Sequence, residues 1–291
     1  MTNAAAPREE TGMILVNVLV IVMLATLVLA MMIATEDVDS ERSLRLREAA
    51  RAMAIAKGGE ISAVTALRRD LANDTGSDGP QDGWARIADS DARIDGGRFS
   101  FAVTDAQARF NLNNLASDET WPRATLDRIV ASAGIDPAVA AAIDVHVRNS
   151  GGLDSLAALE ALGVGLPVLR ALARTCTVLP EPTNINIYTA PPELVQALFA
   201  SEADARMVLA LRERPDGLQQ ASLLSGQIIL PPGTARTSNY FWSRAQVTIG
   251  STRQQLTSLI QRRNLSGKPE VMVIRRWIGP APLQAPPAPG A

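Results

Sequence analysis

The chain has 291 residues, 47% of them hydrophobic, with a formal net charge of −2 and a sequence pI of about 5.6. That length is comfortable for two domains, and the mild acidity leaves no footprint for a polyanionic partner. One cysteine, Cys176, and one histidine, His146, exclude an intrachain disulfide and zinc sites built on several Cys and His ligands.

Met1 to Thr11 is a polar leader. Gly12 follows it, and then an almost unbroken apolar run from Met13 to Ala34, in which only Asn17 and Thr26 fall outside the apolar class. At about 1.5 Å rise per residue this run makes a helix of roughly 33 Å, enough to cross a hydrocarbon core of about 30 Å. A secretory signal peptide would have a shorter apolar region with a small-residue cleavage site after it. Here a cut after Gly12 would remove the leader and keep the membrane helix. Beyond the span, Glu36, Asp37, Asp39 and Glu41 precede Arg42, Arg45 and Arg47, an order compatible with an outward-facing C-terminal side.

Helical periodicity continues through Leu46, Ala50, Met53, Ile61, Val64 and Leu71, with Glu41 and Arg45 as an i,i+4 pair. Gly58-Gly59 interrupts this pattern and predicts a kink or break. The Asn/Asp/Gly/Ser/Pro run from Asn73 to Gly83 reads as a loop. Strands are expected at Trp84–Ile87 and Gly97–Thr104, the second because Phe99, Phe101 and Val103 alternate with Arg98, Ser100 and Ala102. Arg109–Leu115 (RFNLNNL) closes this block.

A long helical stretch comes next. Asp136 as N-cap and Pro137 at the first position open a helix that Gly151-Gly152 ends. A short amphipathic helix over Leu153–Ala161 turns through Leu162-Gly163-Val164-Gly165 into Leu166–Thr175. Pro191-Pro192 lie near the start of a segment from Tyr188 to Phe199, and Ser201 with Asp204 caps a helix running to Arg212. Tyr240–Ile249, Arg253–Arg262 and Glu270–Trp277 again read as strands, with a turn at Asn264–Gly267. Two β blocks flanking a helical block predict an α+β fold, one antiparallel sheet with a helical domain inserted into it. The division is 1–12 leader, 13–34 transmembrane helix, 35–72 amphipathic continuation, 73–110 first part of the sheet, 111–236 insert, 237–278 second part of the sheet. The Pro/Ala-rich 279–291 reads as a disordered tail.

Few motifs carry chemistry. The Leu-Gly-Val-Gly turn looks like a helix-hairpin-helix element, which could present backbone N–H groups to phosphate. Only Arg170 and Arg174 follow it, with Asp154 and Glu160 before it, and tight helix packing explains the glycines equally. Asp74, Asp78, Asp82, Asp89, Asp91 and Asp95 could offer oxygen ligands to calcium, but their spacing does not fit an EF-hand, and a solvated acidic loop is the simpler reading. A Ser-His-Asp hydrolase would have to use His146, which lies in a helical apolar pattern with Val139, Ile143 and Val147. No Walker loop, HExxH, nucleophile elbow or Rossmann fingerprint is present, so an enzyme is not expected.

Taken together these segments resemble one family, the K-type minor pseudopilins of the type II (general) secretion pathway. The resemblance rests on the Gly12-Met13 junction, the RFNLNNL segment and the Thr177-Val178-Leu179-Pro180 hairpin end. It also rests on Asn184-Ile185-Asn186 leading to Thr189-Ala190-Pro191-Pro192-Glu193, and on the strand around Phe241 to Ile249. It implies a pilin-like fold whose long N-terminal transmembrane helix packs on the sheet. Prepilin-peptidase cleavage between Gly12 and Met13, and methylation, are implied as well. Asn17 stands where most pilin-like subunits carry glutamate, an absence this chain shares with K-type members and one that suits a tip subunit with no neighbour above it. The implied setting is the inner membrane, single-pass, with a periplasmic head and partners among the I-type and J-type pseudopilins and the assembly platform. Calcium sites occur in some members, and no cofactor is required. The alternatives are a minor pilin of a true type IV pilus and a membrane-anchored helix-hairpin-helix DNA-binding protein.

Overall fold

The computed structural model describes residues 10–73, 76–214, 229–265, 268–287 and 289. The chain divides into two compact units, Met1–Arg51 and Ala52–Ala291. In the first, the described residues form the opening of helix α1 (Glu10–Asn73). Its stretch Met13–Ile33 spans 21 residues with a mean hydropathy of 2.9, and none of it is buried. A helix apolar on every face has no wet side, which is the composition a bilayer requires. Thr26 fits this setting because its hydroxyl donates back to the Val22 carbonyl (3.0 Å) and the Met23 carbonyl (2.9 Å).

The second unit is built on a five-stranded antiparallel sheet of β1 (Asp89–Ile94), β2 (Gly97–Asp105), β3 (Tyr240–Ile249), β4 (Thr252–Leu265) and β5 (Lys268–Ile278), in that spatial order. β2 pairs with β3 without a slip from Gly97↔Ile249 to Asp105↔Phe241, although the whole helical block separates them in sequence. Ala52–Asn73 of α1 packs on one face of this sheet, and the core there joins Ala52, Ala56, Ala63 and Leu67 to Phe101, Val103, Phe241, Val247, Leu256 and Ile260. A smaller cluster of Ala106, Leu179, Tyr240, Trp242 and Leu259 forms separately.

The helical block folds around its own core. It contains α2 (Trp121–Ser132), α3 (Pro137–Ser150), a 3-10 turn at Leu156–Leu162, α4 (Leu166–Thr175), α5 (Pro192–Leu198) and α6 (Glu202–Arg212). Leu126, Ile129, Ile143, Val147, Leu156, Leu169, Leu172 and Leu194 meet in it. The expected caps are present. Asp136 accepts from the Ala138 amide, Gly151 closes α3 in the left-handed region, and Ser201 accepts from the Asp204 amide.

Several expectations need correction. α1 runs unbroken through Gly58 and Gly59. A Cβ on Gly59 would lie 2.9 Å from Phe101 Cδ2 and 3.3 Å from Phe99 Cζ, so the glycine lets helix and sheet approach, and that packing outweighs its low helix propensity. The buried stripe is therefore Ala52, Ala56, Gly59, Glu60, Ala63 and Leu67, whereas Leu46, Ala50 and Ile61 are exposed. Trp84–Ile87 is a turn rather than a strand, and its Trp84 ring packs edge-on to Phe241 at 5.0 Å. The first strand is β1, an edge strand open to solvent, whose sequence carries no alternation to read. Thr177 ends no hairpin, because Cys176–Thr177 pairs in parallel with Phe110–Asn111. Of the Asn264–Gly267 turn, residues 266–267 lie outside the described residues. The tail packs as far as residue 287. Gln284 is 1% exposed, its carbonyl accepts from Arg109 (2.9 Å), and Leu283 touches the helical core.

Candidate functional site

Two of the segments that marked the family resemblance, RFNLNNL and the run from Asn184 to Glu193, contribute to buried polar clusters, one inside the helical block and one between the block and the sheet. In RFNLNNL the three asparagines act as substitutes for backbone. Asn111 donates to the Glu181 carbonyl (2.8 Å) and accepts from the Leu179 amide (3.1 Å). Asn113 donates to the Leu153 and Leu179 carbonyls (3.0 and 2.8 Å) and accepts from the Leu153 amide (2.7 Å). Asn114 exchanges both bonds with Thr183, at 2.7 and 2.8 Å. Leu112 between them and the flanking Phe110 and Leu115 are buried in the helical core. An amide side chain carries the same donor and acceptor as a peptide group, so it can satisfy an irregular segment that has no strand partner.

A second cluster centres on Asp105 at the end of β2. Its carboxylate accepts from Asn186 Nδ2 (2.7 Å), Ser238 Oγ (2.7 Å), the Gln107 amide (2.7 Å) and the Thr189 hydroxyl. Burial pushes its pKa above the ordinary aspartate value, and those four donors pull the other way without cancelling it. Asn186 also donates to the Asp78 carbonyl (2.9 Å). Asp78 accepts from the Ser238 amide (2.7 Å) and pairs with the buried Arg262, which also meets Asp70 (2.6 Å) and the Ser238 carbonyl (2.8 Å). The Arg262 guanidinium lies 4.8 Å from the Phe241 ring centroid. Burial raises the pKa of Asp70, with Arg262 opposing it. This second cluster is a seam that links the end of α1, β2, β4 and the helical block. The Asp105 and Arg262 bonds thus tie the block to the sheet with directional contacts, while those of the three asparagines hold the block's own loops.

Elsewhere, Glu60 fastens α1 to the sheet. It is 6% exposed, receives a two-nitrogen fork from Arg276 on β5 (2.8 and 2.9 Å), and accepts from Ser258 Oγ on β4. Sequence reasoning missed Glu60, Asp105, Ser238 and Arg262. Three of them interrupt apolar periodicity and so read as surface, and only the Asn/Thr-rich motifs pointed to the seam.

The other candidate residues are scattered. Met13 and Asn17 are exposed on the apolar stretch of α1; Gly12 belongs to the same helix, and leader residues 1–9 lie outside the described residues. Asp78 is committed to Arg262, Asp82 accepts from the Gly79 amide (2.6 Å) and Asp91 pairs with Arg98. Asp74 lies outside the described residues. Among those described, no three His, Cys, Asp or Glu side chains gather where they could hold a metal ion. At the Leu-Gly-Val-Gly turn, Gly163 takes φ 77° and Val164 goes into the helical core, while Arg174 pairs with Glu193 (3.3 Å). This is a packing turn. Cys176 is fully buried, and burial pushes its thiol up to about 12, away from the thiolate form. His146 is half-buried, and the nearby Ser150 hydroxyl donates to the His146 backbone carbonyl (2.8 Å), not to its ring.

Comparison with known proteins fits this arrangement. The type II secretion system protein K of Pseudomonas aeruginosa is 25% identical over 95% of this chain and 96% of its own length. That of Klebsiella pneumoniae is 24% identical over 88% of this chain and 94% of its own. The chain resembles type II secretion system protein K over nearly its whole length. A chain in the crystal structure of the GspK-GspI-GspJ complex from the enterotoxigenic Escherichia coli type 2 secretion system shares the fold, with a TM-score of 0.64 at 19% identity. The match covers 82% of this chain and 100% of that one. No protein-family model matches the chain. Likeness to the K proteins therefore takes in the sheet, the helical block and the seam between them.

Proposed function

We propose that this chain is a minor pseudopilin of a type II secretion apparatus, one that starts and caps the pseudopilus in company with I-type and J-type pseudopilins. The observation that carries the reading is the likeness to K proteins over 95% of the chain, together with an exposed apolar helix at Met13–Ile33. The apolar helix anchors the chain once in the inner membrane, and the head lies in the periplasm. Prepilin peptidase cleaves between Gly12 and Met13 and leaves the helix in place. Asn17 then sits near the new N-terminus without a carboxylate to neutralise a neighbour's amine, as suits the topmost subunit. The helical block occupies space that a further subunit would need. Its work is packing rather than catalysis, and it needs no cofactor.

Mass spectrometry of the N-terminus, in cells with and without the peptidase, tests the anchor. The mature chain should begin at Met13 only where the peptidase is active. An uncut leader in both strains would sink the pseudopilin reading. Purification of the full chain from membranes should bring I-type and J-type partners with it.

A further inference from the structure

Beside the seam, and touching it through Asp105 and Thr189, is a cavity of about 580 Å³. That lies within the range of roughly 300–1,000 Å³ usual for small-molecule sites. Tyr188, Pro80, Ala85 and Pro191 supply apolar wall, with Trp84 and Trp242 almost wholly buried behind it. Arg109 and Arg212 supply charge, Arg174 on the rim being paired with Glu193 at 3.3 Å. The carboxylates in the wall are Asp105 and Glu213, and Asp105 is already taken by four donors. Arg109 is half-buried and gives one hydrogen bond, to the Gln284 carbonyl at 2.9 Å; among the described residues no carboxylate lies within ion-pair distance of it. Arg212 donates to the carbonyls of Ala190 and Ile187, which are neutral. Burial lowers the pKa of both guanidinium groups, with Glu193 near Arg109 and Glu213 near Arg212 opposing it only in part. Two further atoms of lining residues, Trp84 Nε1 and Thr104 Oγ1, are buried with no hydrogen-bond partner among the described residues.

We propose that this cavity binds an organic carboxylate, its charge on Arg109 and its apolar body against Tyr188, Pro80 and Pro191. A guanidinium with free N–H groups in an apolar wall matches a planar carboxylate in both charge and geometry. Desolvation already imposed on Arg109 makes an arriving anion more favourable than it would be at an open surface. The same chemistry is offered by a free aryl acid and by the terminal carboxylate of a peptide.

Calorimetry on the full chain in detergent separates these sources. The probes are 4-phenylbutyrate, its amide, and a tripeptide ending in phenylalanine as free acid and as C-terminal amide. One acid should bind saturably at a single site, with its amide weaker by about tenfold or more. Tighter binding of phenylbutyrate assigns a free acid, and tighter binding of the peptide acid assigns a chain terminus. Arg109→Gln should reduce acid binding by about tenfold and leave amide binding unchanged. Should that variant fail to fold, Arg174→Gln on the exposed rim should weaken the acid severalfold. Equal binding of acid and amide, absence of saturable binding by any probe, or indifference to the arginine variants would overturn the proposal.

Discussion

At the scale of single residues, buried charge governs behaviour. Glu60 is nearly inaccessible while the side chain of its partner Arg276 is 52% exposed. Arg276→Ala strands a carboxylate with Ser258 alone, whereas Glu60→Ala strands a guanidinium that can turn to water. The first substitution should therefore cost more, about 2–3 kcal/mol against about 1, in urea unfolding of the two variants. Equal losses would show that the pair acts through packing. Asp105 gives a pH signature. Its folded pKa is raised, so its contribution is fully present below the ordinary aspartate value and is lost as pH rises through the raised one. Melting temperature should fall across that window, and Asp105→Asn should flatten the fall. An unchanged slope in the variant would assign the effect to another group. None of these side chains was legible as buried in the sequence. A lone charged residue reads as surface until its partner is known, and Glu60 and Arg276 are far apart along the chain.

At the scale of elements, the stem helix shows why large apolar residues mislead. Ile61 is 65% exposed while Ala56 and Ala63 are fully buried. The sheet presents Phe99 and Phe101, and only small residues let the helix close on rings of that size. Gly59→Leu should destabilise by about 1–3 kcal/mol through overpacking. At Gly58, where a Cβ would meet nothing within 4 Å, alanine should stabilise by about 0.5–1 kcal/mol. Parallel chemical-denaturation curves of the two variants check the pair; shifts in the same direction would contradict the assignment of the packed face. Elements ruled by local chemistry were readable. α4 and β3 have the expected limits, and α3 begins at its Asp-Pro cap because capping and periodicity act within a few residues.

For the whole molecule, order reaches further along the chain than composition implies. The Pro/Ala-rich end reads as disordered, yet Gln284 holds Arg109 and accepts from the Leu156 amide at 3.4 Å, and Arg244 donates to the Pro286 carbonyl. Ending the chain at Gly279 should lower head stability by roughly 1–3 kcal/mol, since it frees two half-buried arginines and a leucine that packs against the helical core. Thermal unfolding of the truncated and full chains checks this, and identical curves would mean that the tail only rests on the surface.

The sequence by itself determined the apolar helix, the α+β class with a helical block between two sets of strands, and the resemblance to K-type pseudopilins. These depend on composition, periodicity and short motifs, which act over a few residues. Only the tertiary structure decided which face of α1 is buried, that Gly59 is a contact and not a break, that the asparagines of RFNLNNL brace the helical block from inside, and that Asp105 and Arg262 tie it to the sheet. Those outcomes depend on groups distant in sequence meeting in a medium of low dielectric, where an unpaired donor or charge is costly and each must find its partner.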